Sequence, residues 1–275
     1  MRFIKITLTI IVFITLTTLT QVGGIAYLFS ISTFKSINKF ILNSTLRLTS
    51  KIASFLFIYC TISFLVVPEI AKQFGRVPLP FKETNHIQPL NILTVLLNRN
   101  YVKKELRETT FEVARKMNKK YPGTTINYLD ANFPFIDKFP LFPHLSHNDG
   151  KKLDLSFCYI VRNTNQLTNN CPSWIGYGIC EEPLSNELNT AYLCAKKGNW
   201  QYSLLKNIVP QSQKNNFLFD KKRTRDLVNF FGEESSIKKI FIEPHLKSRL
   251  NLSSNKIKFH GCQAVRHDDH IHIQL

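Results

Sequence analysis

The chain has 275 residues, 44% of them hydrophobic, with 10 glycines and 12 prolines. This composition excludes a fibrous or low-complexity protein and suffices for a hydrophobic core. The formal net charge is +17, but the basic residues are scattered, and no zinc-finger, RNA-recognition or basic-helix pattern occurs. We therefore predict no nucleic-acid partner and interpret the charge as a basic surface that faces an anionic cell envelope.

Two uncharged apolar segments open the chain. Residues 6–31 are long enough to span a bilayer, whereas residues 52–67 are short for a span. We predict a membrane anchor over residues 1–75 with two transmembrane helices. A cleaved signal peptide is the alternative for the first segment, but its apolar part is long and no clear A-x-A site follows it.

The basic residues around these segments favour one topology. The intervening loop carries four of them and the segment before the first helix carries two: Lys35, Lys39, Arg47 and Lys51 against Arg2 and Lys5. The positive-inside rule then places the loop in the cytoplasm and both ends outside. We expect the protein in the cytoplasmic membrane, with its C-terminal domain on the periplasmic or extracellular side.

The cysteines are consistent with an oxidising compartment. Five of the six follow the second apolar segment, which leaves at least one unpaired within that part of the chain. Cys171 and Cys180 are too far apart for a C-x2-4-C pair, so the pattern favours disulfides or buried thiols over a cysteine metal site. The sequence leaves the disulfide connectivity open.

Residues 76–105 are interpreted as a proline-punctuated linker and lead-in, and residues 106–275 as the main domain. The domain begins with "LRETTFEVARKMNKKYPG", whose apolar spacing predicts a helix that ends near Gly123. Further along, "HLSHNDGKKLDLSFCYI" alternates from Lys152, which predicts a strand with Asp154 on its polar face. The Asn-Asp-Gly turn before that strand folds His147 back over the same face.

The chain ends in "HDDHIHIQL", which holds three of the eight histidines. As a strand, this segment places His270 and His272 on one face and isoleucines on the other. A solvated polar strand face is the alternative interpretation. His147, Asp154 and one or more terminal histidines together offer two imidazoles and a carboxylate around an open position, which is typical of catalytic Zn2+.

Several other residues receive structural interpretations. We predict that His144, His245 and His260 are surface histidines rather than ligands. Trp174 and Trp200 are candidates for a substrate groove, although buried packing is the commoner role of tryptophan. Asp269 is a candidate to orient an imidazole, and Asp268 is interpreted either in the same way or as a solvent-exposed charge.

The motifs S-H-x-x-G-x-x-x-D in "SHNDGKKLD" and H-x-x-H-x-H in "HDDHIH" resemble those of the lysostaphin, D-Ala-D-Ala peptidase and hedgehog superfamily. Within it, the chain resembles the penicillin-insensitive murein endopeptidases. The segments "GNWQYSLLKNIV", "FDKKRTRDLVNFFG" and "IKKIFIEPHLKSRL" occur in the corresponding order. The resemblance covers roughly residues 121–275.

The resemblance implies that His147, Asp154 and His272 bind zinc, and that His270 and His267 act on the reacting groups as catalytic residues. The sequence leaves open which of these two histidines is the base and which stabilises the oxyanion. Two positions depart from the family pattern: Lys152 replaces an acidic residue, and Gln274 replaces a basic one. These differences leave the metal ligands in place and put the identity of the cleaved bond in doubt.

We therefore predict an α+β fold, in which a small antiparallel sheet carries the zinc site, flanking helices surround it and transmembrane helices precede it. The predicted function is zinc-dependent hydrolysis of peptide bonds that involve D-amino acids in peptidoglycan, with an endopeptidase favoured over a carboxypeptidase. The alternative is a non-catalytic, zinc-containing envelope protein that binds wall peptides or has a structural role. The retention of His267 and His270 favours the enzyme. The sequence does not indicate an oligomeric state.

Overall fold

The computed structural model describes residues 2–141 and 144–275. Its α-helices within these residues are α1 (Arg2–Thr20), α2 (Gly23–Phe40), α3 (Ser44–Thr61), α4 (Val67–Gln73), α5 (Ile92–Leu96), α6 (Lys104–Lys120), α7 (Thr190–Lys196), α8 (Leu204–Ile208), α9 (Lys221–Glu233) and α10 (Pro244–Arg249). A π-helical turn, Ile62–Val66, joins α3 to α4, and 3-10 turns cover Trp200–Ser203 and Ser212–Asn216.

The strands in the same residues are short. They are β1 (Arg76–Pro78), β2 (Ile87–Pro89), β3 (Tyr101–Lys103), β4 (Ile126–Tyr128), β5 (Lys152–Ser156), β6 (Tyr159–Val161), β7 (Leu167–Thr168), β8 (Phe217–Phe219), β9 (Lys239–Phe241), β10 (Ile257–Lys258) and β11 (His270–Gln274). The mixture of helices and small sheets confirms the predicted α+β class.

The chain divides into two compact units. The N-terminal unit comprises Met1–Pro78, Leu93–Lys103 and Asn132–Gly150, and the C-terminal unit comprises Leu79–Ile92, Lys104–Ala131 and Lys151–Leu275. Residues 76–105, the predicted linker, contain β1, β2, α5 and β3.

The first apolar segment is not one helix. The prediction of a single span over residues 6–31 is wrong, because α1 ends at Thr20 and Gln21 adopts a left-handed backbone conformation with φ 64°. The chain reverses and continues as α2. At Gly24 a Cβ atom would lie 2.0 Å from the Thr17 Oγ1 atom, so α1 and α2 approach closely only because this residue has no side chain.

Two helices in the described residues are long and apolar enough to cross a membrane, Phe3–Thr20 and Ser44–Gln73. The second is longer than the predicted segment 52–67, because the helix continues through the π-helical turn into α4. Most large apolar side chains of both helices are exposed, including Phe3, Leu65 and Phe57. An exposed apolar surface of this kind is stable in hydrocarbon and costly in water.

The C-terminal unit contains a six-stranded sheet in the order β10-β9-β11-β5-β4-β2. The prediction of a purely antiparallel sheet is wrong at its edges. The pairs β9-β11, β11-β5 and β5-β4 are antiparallel, whereas β10 pairs with β9 and β2 pairs with β4 in parallel. The site strands β5 and β11 therefore lie at the centre of the sheet.

Apolar side chains cover one face of this sheet. Leu153 and Leu155 of β5 and Ile271 and Ile273 of β11 are fully buried, as their period-2 alternation predicts. The predicted helix is confirmed as α6, with Leu106, Val113 and Met117 buried at helical spacing. Helix α6 contacts α9.

A separate three-stranded sheet has the strand order β7-β6-β8.

One disulfide joins Cys194 of α7 to Cys262, and Cys60, Cys158, Cys171 and Cys180 are free thiols. The bond closes a loop with a sequence separation of 68 residues. By the chain-entropy relation, a loop of this length corresponds to about 4 kcal/mol of stabilisation.

We expect that a Cys194→Ser/Cys262→Ser double variant has a free energy of unfolding lower than that of the parent by up to this amount. It should therefore unfold at a lower denaturant concentration. Unfolding of the purified full chain in detergent, with and without reductant, measures the effect. The parent in reductant should unfold like the double variant. If reductant leaves the parent unchanged while the disulfide is verifiably reduced, the bond does not stabilise the fold.

Candidate metal centre

The register of the central strands determines which polar side chains meet. β11 pairs with β5 so that His272 lies opposite Asp154, and His270 lies opposite Ser156. Directly opposed residues in an antiparallel pair project from the same face of the sheet. The histidines of β11 and the carboxylate of β5 therefore share the face opposite the aliphatic core.

Asp154 is the centre of this polar face. Its side chain is buried, and the residue is 0% exposed. The His272 Nδ1 atom lies 2.8 Å from its Oδ1 atom, and the Tyr177 hydroxyl donates a 2.8 Å hydrogen bond to its Oδ2 atom. The His270 Nε2 atom is 3.8 Å from the same Oδ1 atom. A buried carboxylate thus faces two imidazoles, which are chemically suitable as metal ligands.

His270 is oriented by its neighbour in sequence. Its Nδ1 atom lies 2.5 Å from the Asp269 Oδ1 atom, and the Gly178 N–H group donates a 2.6 Å hydrogen bond to the Asp269 Oδ2 atom. Because Asp269 engages Nδ1, the Nε2 atom of His270 is turned toward Asp154. A carboxylate that fixes the orientation of an imidazole in this way is a common feature of metal and catalytic sites.

His267 and His260 pack beside this pair. The His267 ring lies 4.9 Å from the His270 ring and 5.7 Å from the Phe241 ring, measured between centroids. Phe241 also contacts His272 and His260, at 5.3 Å and 4.2 Å. His260 is exposed, as predicted, whereas His267, His270 and His272 are buried.

The environment shifts the pKa values of two of these imidazoles in opposite directions. Burial lowers the pKa of His267 well below its usual value, and the neighbouring histidines lower it further. Burial also acts to lower the pKa of His270, but the carboxylates of Asp154 and Asp269 outweigh burial and raise the pKa to about 8.

His144, His147 and Asp154 form a group that can hold a metal ion. Each offers one ligating atom, and these atoms lie within 4.8 Å of one another. All three residues are buried. The prediction that His144 is a surface histidine is wrong, because this residue is 6% exposed. The group does not identify the metal, and it adds His144 to the ligand candidates found from the sequence.

Sequence reasoning missed Tyr177, which touches both Asp154 and His270. Its ring lies 4.9 Å from the His270 ring in an edge-on arrangement. Gly176 and Gly178 flank it with φ values of 86° and 82°, in the left-handed region that favours glycine. A Cβ atom at Gly176 would lie 2.2 Å from the Leu129 side chain. The Gly-Tyr-Gly triplet is the only local signal that marks this tyrosine in the sequence.

We expect that Tyr177→Phe weakens zinc binding by about 10–100-fold, because the hydroxyl that holds the Asp154 carboxylate is lost while the ring remains. Competition with a chelator of known affinity measures the change. Tyr192→Phe is the matched control, since Tyr192 is 62% exposed. Equal zinc affinity in Tyr177→Phe and the parent would show that the hydroxyl does not position Asp154.

A second layer of buried charge supports the segment before β11. Asp268 is fully buried and accepts hydrogen bonds from Arg266, so the interpretation of Asp268 as a solvent-exposed charge is wrong. Burial raises the pKa of Asp268 to about 6 although the contacts with Arg266 oppose this rise. Glu243, also buried, accepts hydrogen bonds from the hydroxyls of Tyr202 and Thr190 and from the His267 N–H group.

One further prediction needs correction, and one of the two interpretations of the tryptophans is excluded. His245 is buried rather than on the surface, and its Nε2 atom lies 2.8 Å from the carbonyl oxygen of Glu181. The two tryptophans are not packed in a core, because Trp174 is 65% exposed and Trp200 is 72% exposed. Trp200 directly precedes Gln201 and Tyr202, which line a small cavity beside His270.

A scan of the sequence against protein-family models finds no match, and a comparison with curated proteins finds none either.

Proposed function

We propose that the protein is a zinc-dependent peptidase that hydrolyses peptide bonds involving D-amino acids in peptidoglycan. The observation that carries the proposal is the fully buried Asp154 carboxylate, which faces the imidazoles of His272 and His270 from the neighbouring strand. Burial of an ionised carboxylate is costly unless a positive charge or several hydrogen bonds compensate it. A metal ion supplies such a charge.

The proposed ligands are His147, Asp154 and His272, with His144 as a further candidate. Two atoms that ligate one tetrahedral zinc ion lie about 3.3 Å apart, given bonds of about 2.0–2.1 Å. The 2.8 Å between the Asp154 Oδ1 and His272 Nδ1 atoms differs from this separation by only about 0.5 Å. The grouping of His144, His147 and Asp154 within 4.8 Å supports the same centre.

A zinc ion held there would supply a Lewis acid that polarises a carbonyl oxygen and lowers the pKa of a water molecule. His270 is proposed to move the proton, because Asp269 holds its Nδ1 atom and leaves its Nε2 atom directed toward the Asp154 side of the site. His267 is proposed to contact the developing oxyanion, because its ring packs directly against the His270 ring.

The sequence motifs support the proposed peptidoglycan substrate, and the apolar helices support the proposed location of the protein in a membrane. S-H-x-x-G-x-x-x-D and H-x-x-H-x-H resemble motifs of murein endopeptidases, and Asp154 of the first motif lies opposite His272 of the second on one face of the sheet. The two apolar helices suit an anchor in the cytoplasmic membrane. The site is proposed to lie on the periplasmic or extracellular side, where peptidoglycan lies. The free thiols Cys158 and Cys180 are buried enough to raise their pKa values, so neither is proposed as a nucleophile.

The experiment that tests the proposal is digestion of cross-linked muropeptides by the purified full chain in detergent, with the products identified by mass. We expect zinc-dependent splitting of the dimers into monomers with the net addition of one water, and loss of activity in chelator that added zinc restores. Release of only a terminal D-amino acid would indicate a carboxypeptidase instead. Stoichiometric zinc without any cleavage would contradict the proposal and favour the non-catalytic binding protein.

A further inference from the structure

A segment of the C-terminal unit combines exposed aromatic residues with an unusual charge distribution. Residues 188–219 contain no aspartate or glutamate, although they include four lysines. Within them, the large side chains of Tyr192, Trp200 and Ile208 are 62%, 72% and 65% exposed. Soluble proteins rarely expose a run of such side chains without a partner.

The arrangement of α7 explains why these side chains point outward. Thr190 and Cys194 form its buried side, and the disulfide from Cys194 to Cys262 attaches the helix to the C-terminal unit. The exposed side then carries Tyr192, Leu193 and Lys196, and the exposed Lys197 caps the C-terminal end of the helix. An aromatic ring, an aliphatic side chain and two ammonium groups are thus presented together on a helix that is covalently held in place.

The next helical segment continues the same pattern. Trp200, Leu204 and Ile208 recur every four residues through the 3-10 turn and α8, and all three are exposed. The other side of this segment faces the protein, because Tyr202 and Leu205 line the cavity beside His270. The exposed stripe and the site wall are therefore opposite sides of one short helical segment.

We propose that this surface, formed by Tyr192, Leu193, Lys196, Lys197, Trp200, Leu204 and Ile208, lies on the surface of an anionic phospholipid bilayer. Tryptophan and tyrosine side chains favour the region between the headgroups and the hydrocarbon, and nearby lysines pair with anionic headgroups. The absence of acidic residues from positions 188–219 removes the repulsion that would oppose such contact.

Two features favour a bilayer over another occupant. The chain itself carries two helices apolar enough to cross a membrane, so a bilayer would be present at high local concentration. The formal net charge of +17 also matches an anionic surface. A glycan strand would accept stacking on Trp200, but an uncharged sugar would give no role to Lys196 and Lys197.

The test uses the two tryptophans of the chain as separate reporters. The full chain is reconstituted into vesicles of phosphatidylcholine and phosphatidylglycerol that contain phospholipids with brominated acyl chains, which quench tryptophan on contact. In Trp174→Phe the remaining Trp200 emission should fall by roughly half or more, whereas in Trp200→Phe the remaining Trp174 emission should change little. Trp174 is a suitable control because it is also exposed, at 65%.

The electrostatic contribution is tested in the Trp174→Phe background. Lys196→Glu/Lys197→Glu should reduce the quenching of Trp200, and omission of phosphatidylglycerol should have the same effect. Lys221→Glu/Lys222→Glu is the matched control, because these lysines are also adjacent and exposed. This double variant should leave the quenching unchanged.

Equal quenching of Trp174 and Trp200, or no quenching of Trp200, would overturn the proposal. A blue shift of Trp200 emission that requires soluble glycan strands, and occurs without brominated-lipid quenching, would overturn it in favour of a wall-binding surface. These outcomes are independent of the hydrolysis assay, because that assay is performed in detergent on soluble muropeptides. The membrane surface and the peptidase function can therefore fail separately.

Discussion

The Asp154→Asn variant is expected to purify without zinc and to lose muropeptide hydrolysis, while it retains its fold. Asparagine keeps the size of the side chain and one oxygen acceptor for the Tyr177 hydroxyl, but it removes the negative charge. A neutral amide is a poor zinc ligand, so the loss of affinity should exceed the about 10–100-fold typical of a residue that only supports a ligand. Zinc content by elemental analysis and cleavage by mass spectrometry provide the two measurements.

Asp226→Asn is the matched control for this variant. Asp226 is also buried. It accepts a 2.5 Å hydrogen bond from the Tyr121 hydroxyl and forms an ion pair with Lys120. Its substitution should leave zinc content and hydrolysis unchanged. Circular dichroism and resistance to proteolysis should show that both variants are folded. A folded Asp154→Asn protein with a full complement of zinc would refute the proposed metal centre.

The two strands that carry the polar face could be predicted because their sequence alternates with period 2. Leu153 and Leu155 on β5, and Ile271 and Ile273 on β11, have to face a core, and this requirement places Asp154 and His272 on the other side. The prediction of a turn after His147 follows from the local Asn-Asp-Gly sequence, and the structure has a bend at Asp149 and Gly150, where Gly150 has φ 78°. These inferences needed only short-range patterns, which a single sequence contains.

Other parts of the structure depend on contacts that no short-range pattern specifies. Tyr177 lies in an aperiodic segment, and its position results from glycine backbone conformations and from packing against Leu129. The break at Gln21 was missed because hydropathy measures how apolar a segment is and not whether its helix is continuous. The Gly23-Gly24 pair was the available signal, since adjacent glycines weaken a helix and allow close helix approach.

The parallel pairing at the sheet edges has the same explanation. β2 and β10 are very short. β2 pairs with β4 across the intervening helices α5 and α6, and β10 pairs with β9 across the intervening helix α10. Strands of two or three residues carry almost no periodicity, so their presence and direction are set by tertiary contacts. The centre of the sheet, where the longer strands and the polar face lie, is the part that the sequence predicts best.

His270 and His272 share one face of β11, yet they are expected to respond differently to substitution. His272 faces Asp154 through its Nδ1 atom at 2.8 Å, whereas the Nδ1 atom of His270 is engaged by Asp269. His272→Ala should therefore lose both zinc and hydrolysis. His270→Ala should keep zinc, because His147, Asp154 and His272 remain, and it should lose about two to four orders of magnitude in turnover, as removal of a general acid or base typically does.

The measurement is zinc content beside turnover for His270→Ala, His272→Ala and the supporting variant Asp269→Asn. Asp269→Asn should retain zinc and lose less activity than His270→Ala, because the imidazole remains and only its orienting carboxylate is neutralised. His260→Ala is the matched control. His260 packs on the Phe241 ring, as His272 does, but it is exposed. If His270→Ala empties the site as completely as His272→Ala, His270 is itself a ligand. If His270→Ala retains both zinc and full activity, His270 does not transfer the proton.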